Sequence, residues 1–145
     1  MAFTGDFLCT SFKQEILVGE HDFTLTTGDS FKIALYDDTA TLTAATTVYV
    51  TGGELAATGN YTTTGQALTN VTPVTSGTTA IVDFVDEVFS TATFSAMGAL
   101  IYNDTHASDA AVAVLDFVTL KTATAGDFTI QFPVADATNA IIRIA

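Results

Sequence analysis

Tryptophan is absent from this chain of 145 residues, cysteine occurs once, and only four side chains are lysine or arginine. Each shortage excludes something. The lone Cys9 has no partner for an internal disulfide, so stability rests on packing, and Cys9 reads as a small buried hydrophobe. Lys13, Lys32, Lys121 and Arg143 stand against sixteen acids, a formal net charge of −12. Nucleic-acid binding draws on clustered cations that displace phosphate counterions, and four scattered ones do not supply it. An anionic membrane surface repels the chain for the same reason. No apolar run approaches the roughly 20 residues that span a bilayer. No basic segment followed by an apolar run opens the sequence, so no secretory signal is expected.

Catalytic signatures are also missing. There is no HExxH, GxSxG, phosphate loop or GxGxxG. His21 and His106 fall in loop-like stretches and read as surface residues, without zinc-ligand spacing. The acid pairs Asp37–Asp38 and Asp86–Glu87, and the group Asn103, Asp104 and Asp109, do not follow a calcium-loop spacing, and turn chemistry accounts for them. The expectation is a protein that is not an enzyme and uses no metal or cofactor.

What is present is periodicity. In "GDFLCTSFKQEILVGEHDF", Leu8, Cys9, Phe12, Ile16 and Leu17 recur at spacings of three and four. That predicts one helix over about 6–18, with Asp6 as N-cap and Gly19 as the stop. From Ser30 onward the period becomes two. "FKIALY" places Phe31, Ile33 and Leu35 on one face, "AIVDFVD" sets Val82 and Phe84 against Asp83, and "DFTIQF" sets Phe128, Ile130 and Phe132 against Asp127, Thr129 and Gln131. "AIIRI" points Ile142 and Ile144 inward. "AVAVLDFV" is apolar on both faces and predicts a strand covered on both sides, while Ser, Thr and Gly interrupt "EVFSTATF" and "SAMGALIYN". Turn chemistry punctuates these runs. With 48% hydrophobic residues, 1–145 has the material for a single core. The expected fold is mainly β: an antiparallel β-sandwich, jelly roll or related Greek key, behind one N-terminal helix.

The stretch 53–80 is rich in Thr, Gly and Ala and almost uncharged. Its β-branched content argues against a disordered linker. A loop or arm is expected over about 52–66, then a strand over about 67–74, with Tyr61 and threonine methyls suited to packing against protein.

Several blocks carry a resemblance. "SFKIALYDDTATLTAATTVYVTGGELAATGNYTTTGQALTNVTPV", followed in order by "GALIYND", "AVAVLDF", "GDFTIQFP" and "NAIIRIA", resembles a pattern among small virion structural proteins of tailed bacteriophages. The likeness runs from Ser11 to Ala145, and its motifs are structural, not catalytic. One departure is Phe89, where many proteins of that pattern carry Trp. The resemblance implies a head decoration (cement) protein on the outer head surface of the virion, with the major capsid protein and further copies of itself (dimer or trimer) as partners. Phe7, Phe12, Ile16 and Tyr61 are the candidate capsid or subunit contacts. A tail or fibre module that recognises a host surface is the second reading, and it calls for an exposed aromatic cluster.

Overall fold

The alternating segments resolve into two antiparallel sheets in the computed structural model, which describes residues 3–145. In chain order the elements are β1 (Phe7–Leu8), α1 (Thr10–Glu15), a 3-10 turn (Ile16–Val18), β2 (Phe31–Tyr36), β3 (Gln66–Ala67), β4 (Asn70–Ser76), β5 (Thr79–Phe84), β6 (Glu87–Asn103), β7 (Ala110–Ile130) and β8 (Ile142–Ile144). One sheet runs β1-β7-β6-β2-β3 and the other β4-β5-β8. The fold is an antiparallel β-sandwich with one short N-terminal helix.

The core between the sheets is aromatic. The Phe31 ring of β2 lies 4.3 Å from Phe23 and 5.8 Å from Phe84 of β5, and Phe84 lies 5.6 Å from Phe132. Such ring pairs add to the free energy of area burial. Phe128, Ile130 and Phe132 are buried and Asp127, Thr129 and Gln131 exposed, as their alternation requires. Ala110 to Val114 are buried on both faces of β7.

Four expectations change. The helix is shorter than 6–18, because Phe7 and Leu8 pair with Val114 and Ala113 at the edge of β7. Asp6 caps nothing; its Oδ1 accepts the Asp116 N–H at 2.7 Å, and Cys9 is the N-cap. The stop at Gly19 is as expected, with φ 78°. Second, β2 is covered on both faces: Ala34 and Tyr36 are buried along with Phe31, Ile33 and Leu35. Third, "EVFSTATF" and "SAMGALIYN" form one strand, whose Ser95 hydroxyl meets that of Thr122 across the ladder at 2.7 Å. Fourth, Ile144 is 55% exposed, since β8 pairs only with β5 and Ile144 sits opposite the exposed Ala80.

The Thr/Gly-rich arm is an ordered loop. Tyr61 and Gly65 are buried, and Gly65, at φ 80°, passes so close to β2 that a Cβ there would lie 2.1 Å from the Ile33 carbonyl oxygen. Only glycine fits that approach. The strand expected over 67–74 is split into β3 and β4, and the β4–β5 register breaks between Val71 and Val74, around Pro73, which has no N–H to donate.

Candidate interaction surface

The β6–β7 hairpin has two long outer edges, and the chain treats them differently. The arm covers the distal part of β6: Asn60 Nδ2 donates to the Ser90 carbonyl at 2.8 Å, and the Tyr61 ring lies 5.8 Å from Phe89 and 5.9 Å from Phe94. On β7, β1 pairs only with Ala113 and Val114, and the Cys9 N–H reaches Val112 at 2.9 Å. Beyond Asp116 no strand pairs with this outer edge among the described residues. From Lys121 to Ile130 the open edge extends about 30 Å at the usual rise per residue.

A short excursion interrupts that edge. Between the pairs Gly98↔Asp116 and Ala96↔Lys121, β6 supplies Met97 alone and β7 supplies Phe117, Val118, Thr119 and Leu120. The surplus leaves the ladder and points apolar side chains at solvent: Val118 is 78% exposed and Leu120 54%. Val118 adopts φ 64°, and Asp116 Oδ1 holds its N–H at 2.7 Å. For a β-branched residue this left-handed conformation is strained, at a cost on the order of 1–3 kcal/mol.

Beside the excursion lies an open groove of about 940 Å³. Phe117, Phe128, Ile130 and Phe132 supply its apolar lining, with Phe7 and Leu8 of β1 on one side and Ile141 and Arg143 of the C-terminal segment on another. Its charges are mixed, unlike the rest of the chain. Asp6, Asp116 and Asp127 line it together with Lys121 and Arg143, which leaves thirteen acids against Lys13 and Lys32 elsewhere. Lys32 is paired with Asp104 at 2.9 Å, whereas neither Lys121 nor Arg143 has a carboxylate within 4.0 Å among the described residues. The three acids already accept backbone N–H groups, from Asp116, Val118 and Thr91 respectively.

The contact residues read from the sequence do not share one surface. Phe7 is half-buried and lines the groove. Ile16 is half-buried in the 3-10 turn, next to Leu17, which is 83% exposed. Phe12 and Tyr61 are 2% and 1% exposed, so both rings belong to this chain's own core and neither reaches its surface. Val118 and Leu120 are missing from the sequence-derived set. Val118 ends the run that reads as a central strand and Leu120 follows it, and only Asp116, breaking the apolar pattern before them, marks the departure.

Two loop residues are also more deeply placed than their sequence context suggests. His21 is buried, with Nε2 2.9 Å from Glu15 Oε2 and Nδ1 3.0 Å from Asn103 Nδ2. Asn103 Nδ2 also donates to Asp29 Oδ2 at 2.8 Å, and His106 Nε2 lies 2.6 Å from Glu20 Oε2. This cluster ties the helix and the 19–30 loop to the turn of the hairpin. Among the described residues no group of three or more His, Cys, Asp or Glu side chains is placed to hold a metal ion, and no helix is long and apolar enough to cross a membrane.

Comparisons with family models, with curated proteins and with solved structures give no match to this chain. The fold and surface together define a class: an acidic antiparallel β-sandwich with a long uncovered edge on β7 and a groove of mixed apolar and charged lining alongside it.

Proposed function

We propose that this chain is a structural protein of a tailed-bacteriophage virion, a head decoration (cement) protein that binds the major capsid protein on the outer surface of the head. The observation that carries the reading is the exposed aliphatic pair Leu17–Val18 on the 3-10 turn, on a chain of net charge −12. Surfaces of this kind bury against protein without desolvating charge. The acidic body is repelled by packaged DNA, which favours an outer position over an inner one. The ordered, threonine-rich arm and the resemblance of the strand blocks to small virion proteins support the same assignment. Phe7 in the groove and Ile16 beside the exposed Leu17 and Val18 are the shell or subunit contacts in this reading. Repetition of one weak contact over a lattice gives large collective stabilisation. The tail or fibre reading calls for an exposed aromatic platform, and among the described residues the large exposed hydrophobic side chains are all aliphatic.

Copy number tests the assignment. Gel densitometry of purified particles is expected to give hundreds of copies per virion. A count of a few to a few dozen would sink the decoration reading and leave the tail.

A further inference from the structure

We infer that the protrusion Val118–Leu120 and the groove beside it form a self-complementary surface, and that its occupant is a second copy of this chain related by a two-fold axis. The inference rests on the structural-protein reading only for its biological setting; the geometry stands without it.

Knob and socket lie side by side. Phe117, at the start of the excursion, and Lys121, just after it, both line the groove, while Val118 and Leu120 between them face solvent. A two-fold operation on such a patch places each copy's knob at the other's groove, because in an isologous contact residue i meets j and j meets i. Charge selects the same face. Two chains of −12 repel wherever acids face acids. The groove is where this chain gathers both signs: Lys121 and Arg143, with no carboxylate within 4.0 Å among the described residues, beside Asp6, Asp116 and Asp127. Across a two-fold the cations of one copy meet the carboxylates of the other, twice. The excursion and a second register shift between Ala123 and Gly126 break the β7 edge into short pieces, which disfavours continuous strand-to-strand pairing and open-ended association. Side-chain insertion is closed by symmetry after two copies.

The test is the oligomeric state of the purified chain by sedimentation equilibrium, with three variants at exposed positions. The parent is expected to be a dimer. Leu120→Glu on the knob and Lys121→Glu on the rim are each expected to weaken dimerisation by about 30-fold or more, the range of a central contact residue. Val74→Glu, an exposed apolar position on β4, is expected to leave it unchanged. Circular dichroism of each variant reports whether the fold is kept; if Leu120→Glu unfolds the chain, Lys121→Glu decides alone. A monomeric parent, a trimer, or a dimer indifferent to both rim and knob variants overturns the inference. The copy-number experiment is independent. A dimer absent from heads refutes decoration alone, and an abundant head protein that is monomeric in solution refutes the two-fold surface alone.

Discussion

Glu54 Oε1 accepts the Tyr61 hydroxyl at 2.8 Å and the Thr64 backbone N–H at 2.6 Å, and Oε2 takes the Tyr49 hydroxyl. One carboxylate thus fixes the arm at three points. Tyr61 passes the constraint on, because its oxygen also accepts the Leu35 N–H of β2 at 3.0 Å. Tyr36 and Tyr102 complete the set, donating to the carbonyls of Val50 at 2.6 Å and Thr64 at 2.7 Å. All four tyrosines of the chain are used to pin one loop.

Removing the hub is therefore expected to release the arm before it unfolds the sandwich. Hydrogen bonds to a charged acceptor are each worth about 1.5–3 kcal/mol, with losses at one site not additive. Glu54→Ala is expected to cost about 3 kcal/mol by urea denaturation and to open 52–66 to limited proteolysis. Tyr61→Phe keeps the buried ring and is expected to cost about 1–2 kcal/mol. Cleavage patterns identical to the parent's in Glu54→Ala would show that the arm is held by something else.

Sequence periodicity made the Phe128–Phe132 face legible, because a half-buried strand leaves a period of two in its own residues; β2 and β5 were legible as strands, but their burial extends to the face expected outward, at Ala34 and Tyr36 in β2 and at Ile81 and half-buried Asp83 in β5. The double-faced burial of Ala110–Val114 was legible as an unbroken apolar run. What escaped depends on partners distant in the chain. Asp6 looks like an N-cap locally, but the Asp116 N–H competes for its carboxylate. Tyr36, Tyr49, Tyr61 and Tyr102 do not cluster in the sequence and meet only when the arm folds back on β2. The excursion at Phe117–Leu120 is invisible until β6 fixes the register on either side of it. Phe12 and Tyr61 looked like contact residues because an apolar stripe and a lone aromatic in a polar loop do not reveal which surface buries them.

The core assignment makes a direct prediction. Phe128 packs 5.0 Å from Phe94, and Phe132 packs on Phe84 while its N–H donates to Asp86 Oδ1 at 2.8 Å. Phe128→Ala and Phe132→Ala are each expected to cost about 3–5 kcal/mol, the usual range for a buried ring replaced by a cavity. A variant at either position that melts with the parent would remove that ring from the core.

Alkaline pH is expected to destabilise the fold. Burial, reinforced by Glu15, pushes the Cys9 thiol from 9.0 up to about 11. Burial is also the leading cause that raises all four tyrosines, with Glu54 adding to the effect. Each group holds its proton more tightly in the folded state. Its stabilisation is complete below the unfolded pKa and is lost as pH rises through the folded one. For Cys9 that window is about pH 9 to 11, and the tyrosines begin to contribute near pH 10. Urea midpoints measured from pH 7 to 10.5 are expected to be level with respect to these groups at first and to fall above about pH 9. Cys9→Ala is expected to remove the earlier part of the decline. Rapid reaction of the parent with a thiol reagent at pH 8 would contradict the burial of Cys9.

Val118 gives a prediction of opposite sign for monomer and dimer. Its φ of 64° suits glycine, and its side chain is 78% exposed, so Val118→Gly relieves strain while losing little packing. Relief of about 1–3 kcal/mol, set against about 0.5–1 kcal/mol for the added freedom of glycine in the unfolded chain, leaves a net gain near 1 kcal/mol. Measured at concentrations where the chain is monomeric, the variant is expected to be more stable than the parent. The same substitution strips the knob of its apolar tip, so sedimentation at higher concentration is expected to show weaker association. A surface residue kept in a strained conformation for contact has to show both effects. Loss of monomer stability would mean instead that Val118 packs within its own chain, and unchanged association would mean that the protrusion meets no second copy.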